Sequence, residues 1–87
     1  MEQTSNRKAK TLAKRLQAVG FQTHQYKVSD AEPSCDAMIV LGNHYVQCCF
    51  DGLYIVKAMG KPFTPLYENR SAVRIAEWLR RETRPNE

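Results

Sequence analysis

Residues 36–58 read DAMIVLGNHYVQCCFDGLYIVKA. Three apolar runs, Asp36 to Leu41, His44 to Phe50 and Leu53 to Ala58, are separated by the dipeptides Gly42-Asn43 and Asp51-Gly52. Gly-Asn suits a type II′ turn and Asp-Gly a type I′ turn, the two tight connections of a β-hairpin. Two hairpins in succession define an antiparallel meander, and the turns fix its register. With two-residue turns, Leu41 faces His44, Ile39 faces Val46, Phe50 faces Leu53, Cys48 faces Ile55 and Cys49 faces Tyr54. One face then carries Ala37, Ile39, Leu41, Val46, Cys48, Phe50, Leu53 and Ile55. The other carries Met38, Val40, Tyr45, Gln47, Cys49, Tyr54 and Val56, because residues opposite each other share a face.

The flanks are helical. Ala9, Leu12, Ala13, Leu16 and Val19 recur at helical spacing and predict a helix over 5–19, with Gly20 placed as its C-cap. Phe21 to Val28 reads as a strand, followed by a polar loop to Cys35 containing Pro33. Gly60, Pro62 and Pro65 make 59–69 a connection that cannot be helical throughout, with a short edge segment near Phe63 to Tyr67. Asn69 or Ser71 caps a last helix to about Glu82, with Ala72, Ile75, Ala76 and Leu79 as its buried stripe. The order helix, strand, three-stranded meander, helix predicts an α+β two-layer sandwich. Its antiparallel sheet has four strands and both helices lie on one face, in the order α-β-β-β-β-α. At 87 residues the chain is expected to be one domain spanning 1–87, with frayed ends over 1–5 and 83–87.

Both faces of that meander are apolar, whereas a one-sided sheet alternates apolar and polar residues. Two helices cover one face. Met38, Val40, Tyr45, Cys49, Tyr54 and Val56 are therefore expected on the uncovered face, and contiguous apolar patches of this kind mark interaction sites. A twofold homodimer is the simplest occupant, since C₂ pairs are the commonest oligomers. A different protein partner, or coverage within the chain by the first helix, the long loop or the 59–69 connection, are the alternatives. Trp78 lies off the buried stripe between Arg74 and Arg81. It is either a second contact residue, of the type enriched at binding hot spots, or a side chain half-covered by the 62–67 connection.

The charge is mildly positive, with 13 Lys plus Arg against 9 Asp plus Glu. A nucleic-acid-binding domain is the alternative function. It would use Lys8, Lys10, Lys14 and Arg15 on the first helix, or Arg70, Arg74 and Arg81 around the last, against phosphates. The helix–strands–helix order is similar in topology alone to double-stranded-RNA-binding domains and to small RNase-toxin domains. The basic helix-start motif of the former and the Gly-Ser-His strand of the latter are absent.

Chemistry-bearing arrangements are sparse. Cys35 with His24 or His44, oriented by Asp36, would make a nucleophile pair, but no spacing requires it. His24, His44, Cys35, Cys48 and Cys49 show no metal-ligand spacing. Asp36, Asp51 and Lys57 resemble part of a metal-dependent nuclease layout, in which Ile55 stands where a second carboxylate is needed. The four glycines are isolated rather than gathered in a phosphate loop. The expectation is therefore a non-enzymatic protein with no catalytic residue, no cofactor and no metal. Three cysteines without a signal peptide argue against a disulfide framework. No apolar run nears the roughly 20 residues that span a bilayer. A soluble, cytoplasmic protein with no membrane association is expected.

Overall fold

The computed structural model describes residues 4–27, 35–49 and 51–83. Helix α1 (Thr4–Ala18) is followed by strands β1 (His24–Lys27), β2 (Cys35–Leu41), β3 (His44–Cys49), β4 (Tyr54–Ala58) and β5 (Pro65–Asn69), and by helix α2 (Ala72–Glu82). The class is α+β with an antiparallel sheet, in the order α-β-β-β-β-β-α. The sheet has five strands in chain order rather than four. The additional strand lies in the 59–69 connection. Pro65 can open it because β5 is at the sheet edge, where a missing N–H leaves no ladder bond unmade. The first strand is shorter than the predicted Phe21 to Val28 and forms the opposite edge, beside β2.

α1 stands on one apolar stripe: Ala9, Leu12 and Leu16 are wholly buried and Ala13 nearly so. Its end is a Schellman motif. The Gly20 N–H donates to the Gln17 carbonyl at 3.1 Å and the Phe21 N–H to the Leu16 carbonyl at 3.0 Å, with Gly20 at φ 100°. Phe21 and Leu16, the pair that staples this motif, both sit in the core. α2 is capped by Ser71, whose hydroxyl accepts from the Arg74 N–H at 3.4 Å, while the Asn69 side chain accepts from the Ser71 N–H at 2.8 Å. It buries Ala72, Ile75, Ala76 and Leu79, the stripe read from the sequence. Thr4 and Ser5 belong to α1, and the Thr83 N–H closes α2 on the Leu79 carbonyl at 2.8 Å. The rest of the expected frayed ends, and Phe50, lie outside the described residues.

Both helices pack on the same face. α1 lies over β1, β2 and β3, α2 over β4 and β5, and the two touch each other. Five antiparallel strands between them make the helices run in the same direction. Lys8 near the start of α1 accordingly reaches the carbonyl of Arg70 just before α2, and Arg15, Ala18 and Val19 lie beside Val73, Ala76 and Arg80.

The register of the second hairpin differs by one residue from the two-residue turn. Gln47 faces Ile55, Cys48 faces Tyr54 and Val46 faces Val56. The connection is one residue longer than the two-residue turn. Gly52 N–H closes a turn on the Cys49 carbonyl at 3.0 Å, and Cys49 N–H bonds the Leu53 carbonyl at 2.9 Å. Gly52 sits at φ 87°, the left-handed position that follows the turn in a three-residue hairpin loop. A one-residue shift turns every side chain of β4 to the other face. Tyr54 and Val56 are therefore core residues with no exposed surface, and Leu53 and Ile55 are the half-exposed ones.

A Cβ on Gly52 would meet only the Lys8 side chain, at 3.5 Å, so space is available and backbone strain decides the cost. Gly52→Ala should lower stability in urea titration by about 1–2 kcal/mol, the cost of a left-handed non-glycine residue. Gly52→Asn should lose distinctly less, since asparagine tolerates that conformation. Equal losses would contradict a strain origin.

Candidate functional site

Two surfaces have the composition of binding sites: the helix-free face of the sheet and the outer side of the helical layer. On the first, strand alternation places Met38 and Val40 of β2, Tyr45, Gln47 and Cys49 of β3, and Ile55 and Lys57 of β4 together. No helix among the described residues lies on this side. Met38, Val40 and Ile55 are half-buried. Tyr45 and Cys49 are more deeply covered, at 9% and 5% exposure, yet stand apart from the core cluster beneath the helices.

Of the six sheet residues read as an exposed patch, Tyr54 and Val56 are thus removed by the register, and Ile55 takes their place. Sequence reasoning also missed the most exposed apolar side chains. Phe63 is 94% exposed, Met59 47% and Leu66 42%. Leu66 alternates with the inward Tyr67 and falls on the helix-free side, at a bulge opposite Lys57. The available signal was three large apolar residues in a connection rich in Gly and Pro, where nothing in the turn chemistry calls for them.

Trp78 is half-buried by its own chain. Its indole stacks on Tyr67, with centroids 5.5 Å apart and planes 6° from parallel, and meets the edge of His44 at 6.4 Å. The Asn69 amide donates to the Tyr67 hydroxyl at 3.2 Å, which steadies the stack. Stacking on β5 places Trp78 among the side chains that tie α2 to the sheet.

The helical layer is the basic side. α1 carries Arg7, Lys8, Lys10, Lys14 and Arg15 with no acidic residue, and α2 carries Arg74, Arg80 and Arg81 against Glu77 and Glu82. Together the helices hold a net +6 while the whole chain holds +4, so all other residues sum to −2.

Lys8 and Arg70, among the predicted phosphate contacts, are engaged within the fold. Lys8 Nζ donates to the Arg70 carbonyl at 2.6 Å and sits 4.7 Å from the centre of the Tyr54 ring. The Arg70 guanidinium pairs with Asp51 at 3.0 Å. Asp51 also accepts from the Leu53 N–H at 3.0 Å. That backbone bond is the largest cause holding its carboxyl below the ordinary value; burial opposes it, and the Arg70 guanidinium adds to the lowering. These residues join the start of α1, the β3–β4 loop and the β5–α2 junction. Lys10, Lys14, Arg15, Arg74 and Arg81 are exposed on the helices as read from the sequence.

The sparse chemical arrangements do not assemble among the described residues. His24 is exposed on the edge strand, whereas His44 packs against Trp78. Asp51 lies in the β3–β4 loop and Lys57 near the far end of β4. No group of three metal-binding side chains occurs among the described residues. The side chains of Cys35 and Asp36 lie outside them. No helix among the described residues is long and apolar enough to cross a membrane. No family model, no curated protein and no solved structure matches the chain.

Proposed function

We propose that the chain is a non-catalytic protein-interaction module that pairs with a second copy of itself through the helix-free face of its sheet. The observation that supports this reading most is the distribution of apolar surface. Among the described residues, three of the four exposed large apolar side chains, Met59, Phe63 and Leu66, lie on one stretch of 59–66, and Leu66 adjoins the half-buried Met38, Val40 and Ile55 side of the sheet. Burying one such side chain is worth roughly 1.5–3 kcal/mol. A face with few charges, Lys57 and Glu68 on neighbouring strands among them, can meet its own twofold image without accumulating like charge.

Absolute mass by light scattering on a sizing column, at low and high salt, tests it. The expected result is a dimer at both salt concentrations, since apolar burial is not screened. Phe63→Ser should raise the dissociation constant by about tenfold or more, the equivalent of about 1.4 kcal/mol. Phe63 makes so few contacts within its own chain that the melting temperature of the folded protomer should hold. A wild-type chain that stays monomeric at the highest concentration reached would overturn self-pairing.

A further inference from the structure

The outer side of the helical layer carries a second site, distinct from the sheet face. α1 and α2 run in the same direction. Arg7 and Lys14 lie seven residues apart on the outer side of α1, and Arg74 and Arg81 seven apart on that of α2. Each pair is spaced about 10.5 Å along its helix, and packed helices lie roughly 8–10 Å apart. Arg15 and Arg80 flank the groove between the two rows, whose floor is Ala18, Val19, Val73 and Ala76. Six cations therefore form a broad array, with Glu77 the acidic residue at the groove and Glu82 at the end of α2. Among the described residues none of the six side chains is held in an ion pair or hydrogen bond, in contrast to Lys8 and Arg70.

We infer that this array binds the phosphate backbone of a nucleic-acid duplex, without reading its sequence. Five of the six cations are arginine, whose planar guanidinium matches phosphate oxygens in a two-pronged bond. A duplex presents phosphates in two dimensions, as the array presents cations. A lipid surface fits less well, because an interfacial helix must also bury an apolar face, and Val73 is the only large apolar side chain exposed on the helices among the described residues.

The test is fluorescence anisotropy of labelled random-sequence DNA and RNA duplexes, with polyglutamate and anionic phospholipid vesicles as the other polyanions. Duplex binding is expected at low salt. With about six phosphates neutralised, the affinity should fall about a thousandfold between about 50 and 200 mM salt. The double variant Arg74→Ala with Arg81→Ala should reduce the salt slope by about two. Lys61→Ala, which removes an exposed cation away from the helices, should leave the affinity unchanged. No binding of either duplex at low salt would overturn the inference. So would polyglutamate or vesicles binding as tightly as the duplexes, or Lys61→Ala lowering the affinity as much as the helix variant.

Discussion

Val56→Lys should leave the chain unfolded at room temperature, while Ile55→Lys, one residue away, should fold. Val56 is wholly buried beneath the helices, opposite Val46 on one side and Tyr67 on the other. An ammonium placed there has no partner carboxylate in the core cluster, which is made of aliphatic, aromatic and cysteine side chains. An uncompensated buried charge costs about 3–5 kcal/mol. Loss of the valine packing adds about 1.5–3 kcal/mol. A domain of this size has roughly 4–13 kcal/mol of total stability, so the variant sits at or beyond the edge of folding. Ile55 points the other way and faces Glu68 across the ladder, so a lysine there gains an opposite charge. Circular dichroism with thermal melting separates the two. The reverse outcome, a folded Val56→Lys and an unfolded Ile55→Lys, would restore the two-residue turn and its register.

That pair of residues also shows where the sequence stops being informative. The helices were legible because a helix tells its buried stripe by period, and Ala9, Leu12, Ala13 and Leu16, with Ile75, Ala76 and Leu79, have no competing stripe. Both hairpins were legible from Gly42-Asn43 and Asp51-Gly52. Loop length was not. Asp-Gly serves equally as the whole of a two-residue turn or as the last two residues of a three-residue loop with glycine in the left-handed position. Alternation normally arbitrates, since only one register buries the apolar set. In Leu53-Tyr54-Ile55-Val56 both sets are apolar, so either register satisfies the pattern. The fifth strand shows in the sequence only as a short edge segment near Phe63 to Tyr67, outside the four-strand count, because Pro65 argues against an interior strand and is silent about an edge. At the candidate sites, exposure of Lys14, Arg15, Arg74 and Arg81 follows from helical period alone. The capture of Lys8 by Arg70, 62 residues away, depends on the tertiary fold and has no local signature.

Tyr54 links that capture to the core, and its removal should have the second large effect. Its ring is fully buried, its hydroxyl donates to the Lys8 carbonyl at 2.6 Å, and the Lys8 ammonium lies over its ring. Tyr54→Ala leaves an aromatic-sized cavity costing about 3–5 kcal/mol. At about 4–8 °C per kcal/mol for a domain of this size, the melting temperature should fall by roughly 12–40 °C. Tyr54→Phe keeps the packing and loses the hydroxyl bond, a cost nearer 1–2 kcal/mol. The two substitutions also part company in alkali. Burial pushes the Tyr54 phenol well above its ordinary value of 10.0, with the neighbouring Cys48 adding to the same direction. A pKa raised on folding means that the native state holds the proton more tightly than the unfolded chain. Its contribution is complete below pH 10 and is lost as pH climbs from there toward the folded value, by about 1.4 kcal/mol per pH unit. The wild-type chain should therefore lose urea stability just above pH 10 more steeply than Tyr54→Phe, which has no phenol to ionise at that position. Parallel losses in the two proteins would mean that the buried hydroxyl is not the group that titrates.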